Sequence, residues 1–261
     1  MRPMDPRTNR FGWQPDLPDY RDFSYGVRLL KLEAPRTLPR QVDLRTAWMP
    51  KPYHQGDLGS CTANAIGAAL AYEHVKQGLG ALRPSRLFIY YGERAMEGTI
   101  HSDPGAQIRD GIKVIAKLGA PPERLWPYDI AKFARKPPAK VYKAALDHRA
   151  LAYFRVDQTR LRELLGCLAS GFPFVFGFTV YEGFDAPKVM KNGVLDMPKR
   201  GERVLGGHAV LAVGYNQKTR RFLVRNSYGV AWGRKGYFSM PFDYLLDDGL
   251  SADFWTLRTV S

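Results

Sequence analysis

The chain has 261 residues, two cysteines and a formal net charge of +14. That is long enough for one large domain or two lobes, but two cysteines make neither a disulfide framework nor a zinc site alone. No run approaches the ~18 apolar residues that span a bilayer, and no residue pattern calls for a cofactor or metal.

The first residues lack the apolar core of a signal peptide, so the default location is cytoplasmic, with a trimmed leader or another export route as the alternatives. The positive charge favours acidic partners and an anionic ligand on the basic surface. Without a long Lys/Arg block, nucleic acid is a minor expectation. A monomer is the default.

Residues 1–37 form an N-terminal extension rich in proline and aromatics. The run from Gly12 to Phe23 cannot be a regular helix, yet it carries Trp13, Leu17, Tyr20 and Phe23. Disordered tails are poor in aromatics, so this arm is expected to dock on the body. The favoured expectation is a strap away from any site; the alternative is a cover over a groove.

Residues 38–150 read as a mainly helical half. After the extended stretch Leu38–Arg45, the loop Gln55-Gly56-Asp57-Leu58-Gly59-Ser60 leads into an Ala-rich helix that opens at Cys61 and runs to Lys76. Ser60 stands at the N-cap position and Gly78 is the stop. A stripe of Ala65, Ala68, Ala69, Tyr72 and Val75 predicts a buried, central helix. A second helix starts after Ser85 and ends at Gly98. A third runs through Ile108, Ile112 and Ile115 to a Gly119 cap. Residues 131–145 read as a surface excursion.

Residues 151–261 read as a mainly β half. Strands are expected over 150–156, 172–180, 206–215, 221–225 and 236–240, with a helix over 159–170. Helices followed by strands indicate an α+β fold.

Cys61 lies in the first turn of its helix, where the macrodipole favours thiolate, the nucleophilic form. The alternative is a small residue packed in a core. A thiol nucleophile needs a base and an orienting group. His74 and His148 fall on polar helical segments and read as surface residues; His101 is in a loop; His54 is a weak candidate by proximity. His208 is embedded in the apolar strand Gly206-Gly207-His208-Ala209-Val210, where a histidine has either a task or a satisfied hydrogen bond. Asn226 ends a later strand, and its side-chain oxygen can fix an imidazole. Tyr228 and Trp232 can shield that bond.

Together these residues resemble the papain family of cysteine peptidases, over roughly residues 38–258. Gly59-Ser60-Cys61 is similar to the nucleophile motif, Gly-His-Ala-Val at His208 to the base, and Asn226-Ser227 with Trp232-Gly233 to the orienting asparagine and its cover. Gln55 is similar to the glutamine of the oxyanion hole. The chain departs from the family pattern at Leu58, Thr62 and Tyr228. It also lacks the usual disulfides and long helical propeptide, as in a bacterial-type branch.

The resemblance implies a two-lobe α+β fold, with the central helix starting at Cys61 and a cleft between the halves. It implies a peptidase, an endopeptidase acting on extended peptides, through a Cys61–His208 thiolate–imidazolium pair. Asn226 would orient the base and Gln55 would stabilise the oxyanion. Gly105, Gly177, Gly207 and Trp232 are the implied substrate contacts, with Gly177 and Gly207 leaving room for a bulky apolar side chain. The extension would make the chain a zymogen. The competing readings are a binding protein on the same scaffold for an anionic ligand such as a nucleotide, and another acyl transfer by the same residues.

Overall fold

The computed structural model describes residues 11–19, 22, 24, 35, 37–45 and 48–261. Tyr20 and Phe23 of the arm lie outside the described residues.

The architecture is α+β. Helices α1 (Cys61–Lys76), α2 (Arg86–Glu97) and α3 (Ile108–Lys117) come first, then the short α4 (Ala139–Ala145). A seven-stranded antiparallel sheet dominates the rest of the chain. Strands β2 (Ala150–Arg155), β3 (Phe174–Tyr181), β4 (Val204–Asn216), β5 (Arg221–Arg225), β6 (Tyr237–Pro241) and β7 (Ser251–Val260) run in the spatial order β2-β7-β3-β4-β5-β6. The early strand β1 (Gln41–Asp43) pairs with the end of β4, Gln41 opposite Asn216. Helices α5 (Leu161–Ala169), α6 (Pro187–Asn192) and α7 (Phe242–Leu246) fill the connections.

Helix boundaries follow their local signals. Ser85 caps α2 through its side chain, which accepts from the Phe88 N–H, and Gly98 closes the helix in the left-handed region. Ser60 stands at the N-cap of α1 but does not cap it. Its hydroxyl is taken by Tyr128, at 2.5 Å, and by the Asn64 amide, at 3.1 Å.

Helix α1 is buried all round from Cys61 to His74. This is the buried, central helix expected, although Val75 of the stripe stays partly exposed. The helix packs against β4 and β7 on one side and α2 and α3 on the other, so every face needs small or apolar residues. The small residues let neighbours approach closely. Thr62 donates to the fully buried Glu93 of α2, at 2.8 Å.

Three expectations fail locally. His74 is buried, not a surface residue; one ring nitrogen meets the Gly80 carbonyl and the other meets His148 Nδ1 at 3.2 Å. Half-buried His148 is its partner, and burial with the neighbouring His74 lowers its pKa. The 131–145 excursion includes α4, which buries Val141 and Ala145. Strand β7 was not anticipated: Ser251, Asp253, Thr256 and Arg258 are buried along it, so the alternation that reveals a half-exposed strand is missing.

Candidate active site

Cys61 is the first residue of α1 and is fully buried. Burial drives the thiol pKa up to about 11. The backbone N–H groups of Ala209, Gly12 and Thr62 face the sulfur and oppose that shift without cancelling it.

His208 sits in the middle of β4, opposite Phe178 of β3. It is fully buried. Its Nε2–H donates to Asn226 Oδ1 at 2.8 Å, which assigns the tautomer and leaves Nδ1 unprotonated. Nδ1 has no hydrogen-bond partner. Burial lowers the imidazole pKa to about 4, and the Asn226 bond only partly offsets this.

Asn226 follows the last residue of β5, and its Oδ1 also accepts from the Ser227 N–H at 2.8 Å. Tyr228 lies over the imidazole with ring centroids 5.0 Å apart, and Phe178, Phe184 and Phe11 complete the aromatic enclosure. Trp232 packs behind them on Tyr228, Phe184 and Phe238. It is buried in the supporting layer, so the expected substrate contact is not made there.

Gln55 is fully buried and tied to both sides of the site. Its Nε2 donates to the Leu58 carbonyl at 2.9 Å and its Oε1 accepts from the Ser227 hydroxyl at 2.5 Å. Its backbone N–H donates to the Ser227 carbonyl at 2.9 Å. The loop before Cys61 is thereby fastened to the segment that carries Asn226. His54 is exposed, and its Nδ1 accepts from the Gly56 N–H, so it does not compete as base.

The expected open groove is not open. Residues 11–14 of the arm run through it, which overturns the expectation of a strap away from any site. Trp13 N–H donates to the Gly207 carbonyl at 2.9 Å. The Ala106 N–H donates to the Gly12 carbonyl at 2.7 Å and the Gln14 N–H to the Ala106 carbonyl at 3.1 Å, a parallel bridge. Gln14 Nε2 reaches the Pro104 carbonyl at 2.9 Å.

The glycines expected to leave space do so, for the arm. A methyl group on Gly177 would overlap the Trp13 ring, and one on Gly207 would strike the Trp13 carbonyl and ring. One on Gly105 would overlap the Gly12 carbonyl. Trp13 is 7% exposed, and its indole N–H donates to Asp253 Oδ2 at 3.0 Å. Asp253 and Ala106 were not singled out from the sequence. Ala106 had a partial signal in the adjoining Pro104-Gly105; Asp253 had none.

The α+β fold has a cysteine at the head of its central helix, with the N–H of Ala209 turned to its sulfur, and next to Ala209 a strand-borne histidine bonded to asparagine. The family model described as papain family cysteine protease matches residues 38–244. The chain belongs to that family and is a cysteine peptidase. It is 40% identical to xylellain, a cysteine protease from Xylella fastidiosa, whose crystal structure matches with TM-score 0.87 over 97% of each chain. An uncharacterized peptidase C1-like protein of Acanthamoeba polyphaga mimivirus is 42% identical over 280 residues, covering 99% of this chain and 90% of its own. The digestive procathepsin L 3 of Tenebrio molitor larval midgut shares the fold, with TM-score 0.68 at 16% identity over 91% of this chain and 75% of its own. Among the described residues, no helix is long and apolar enough to cross a membrane.

Proposed function

We propose that the chain is an endopeptidase for extended peptides, held latent by its own residues 11–14. The observation that carries this reading is the seating of Gly12 and Trp13 between Ala106 and Gly207, with the Gly12 N–H turned to the Cys61 sulfur. A groove that pairs with backbone on both walls recognises an extended chain in the manner of an added strand. The Trp13 pocket then takes a bulky apolar or aromatic side chain of the substrate.

In this reading Cys61 attacks the scissile carbonyl and His208 Nδ1 takes the thiol proton, then delivers it to the leaving amine. Asn226 holds the ring. Gln55 Nε2 and the Cys61 N–H stabilise the oxyanion, and water cleaves the thioester. The arm is not a substrate. It offers the sulfur an N–H, and its Gly12 carbonyl is bound instead to Ala106. It also excludes water, which keeps thiol and imidazole uncharged. When it leaves, resolvation lets the pair become thiolate and imidazolium.

The test is turnover of peptides blocked at both ends, comparing the intact chain with one lacking residues 1–37. Cleavage at internal bonds, faster after shortening and lost with Cys61→Ala, is expected. Full activity of Cys61→Ala would end the reading. The binding-module alternative lacks support beside an intact Gln55, Cys61, His208 and Asn226 set.

A further inference from the structure

The arm is anchored some residues beyond Trp13 by a buried charge cluster. The Asp16 side chain is completely enclosed and lies 3.9 Å from Arg109 of α3 and 3.7 Å from Arg155 of β2. Asp22, also on the arm, pairs with the same two guanidinium groups, at 2.7 and 3.0 Å. Arg155 reaches Asp253 Oδ1 of β7 at 3.0 Å. Asp253 Oδ2 accepts from the Trp13 indole and from the Asp16 backbone N–H, at 2.9 Å. Arg109 also donates to the Leu17 carbonyl at 2.7 Å. Asp19 and Lys113 line the adjoining cavity with Tyr153 and Trp255.

Three carboxylates thus meet two guanidinium groups, and the carboxylates are not equally served. Asp22 and Asp253 both accept hydrogen bonds. Neither Asp16 oxygen does; the Arg109 backbone N–H points its way without closing a bond. An enclosed carboxylate with no donor and another carboxylate beside it is costly when ionised. Of the charges next to this cluster, Lys113 is paired with Asp110 of α3, at 3.6 Å.

We propose that the arm is a proton-held latch: one proton, resting on Asp16 and shared with Asp253, closes it, and loss of that proton toward neutral pH frees the groove. This rests on the latency proposed for residues 11–14. Burial and then Asp253 push the Asp16 carboxyl up from 3.8 to about 7, against the pull of both arginines. Burial also raises Asp253. With the arm undocked, Asp16 and Asp22 return to water and Asp253 keeps Arg155, so no proton is held. Docking is then fully favoured below about pH 4, weakens by up to about tenfold per pH unit, and levels off above about pH 7.

The test is hydrogen-exchange protection of the Trp13, Gln14 and Asp16 amides, corrected for intrinsic rate, from pH 4.5 to 8 in the full chain. Turnover is measured in parallel and normalised to the chain lacking residues 1–37. Wild-type protection is expected to fall about a hundredfold between pH 4.5 and 7. Asp16→Asn, which carries no charge, should be protected equally at every pH. Asp253→Asn, which leaves two carboxylates for two guanidinium groups, should keep a smaller slope, since burial still acts on Asp16. A flat wild-type profile, or a slope that survives in Asp16→Asn, would overturn the latch. If protection behaves as expected but normalised turnover does not track it, the latch stands and the latency reading fails.

Discussion

Two regions are buried by the same arm, and they handle charge in opposite ways. Around Cys61 and His208 burial raises the thiol to about 11 and lowers the imidazole to about 4. Around Asp16 the arm brings two carboxylates of its own onto Arg109, Arg155 and Asp253. In the first region desolvation pushes each group toward its uncharged form. The second adds charged contacts to the arm away from the chemistry, beside the backbone bonds that Gly12, Trp13 and Gln14 make in the groove itself.

The comparison is broken most severely by removing the chemistry. Cys61→Ala or His208→Ala should lower turnover of the shortened chain by about four orders of magnitude or more, with little change in melting temperature. Gln55→Ala should cost about 10²–10³-fold in kcat if its amide serves the oxyanion. Steady-state kinetics on the shortened chain read both.

Smaller effects sharpen it. Trp13→Ala empties the pocket against Gly177 and Gly207 and should raise activity of the intact chain at least about tenfold, since a buried aromatic is worth several kcal/mol. Asn226→Ala should lower kcat about tenfold to a hundredfold. The Asn226 bond raises the His208 pKa, so its loss moves the alkaline limb of the pH–rate profile to lower pH. An unmoved limb would deny Asn226 its orienting part.

The smallest effect lies behind the site. Burial holds Glu93 well above the usual carboxylate range, while Thr62 pulls it down only in part. Its folded value is raised, so its contribution to stability is complete below the unfolded value near 4.5 and is lost as pH rises through the folded value. Glu93→Gln should make unfolding in denaturant less sensitive to alkaline pH, with a change of about 1 kcal/mol or less at acid pH.

Much of this molecule is legible in its residues. Ser85, Gly98 and Gly119 mark helix ends by local chemistry, and α1 through α3 fall where periodicity places them. The residues around Cys61, His208 and Asn226 carry a motif that survives without disulfides. What escapes is non-local. The Trp13–Asp253 bond joins residues 240 apart, and no local pattern pairs them. Strand β7 hides because it buries polar side chains that the sheet and arm satisfy. His74 hides because its partner, His148, arrives from a distant segment.

The most direct measurement is the rate at which a small neutral alkylating reagent modifies Cys61 at fixed pH, in the intact chain and in Trp13→Ala. If the arm enforces a neutral, enclosed thiol, the intact chain should react at least about a hundredfold more slowly. Equal rates would mean that the sulfur is already exposed and ionised with the arm in place, and would contradict silencing by enclosure.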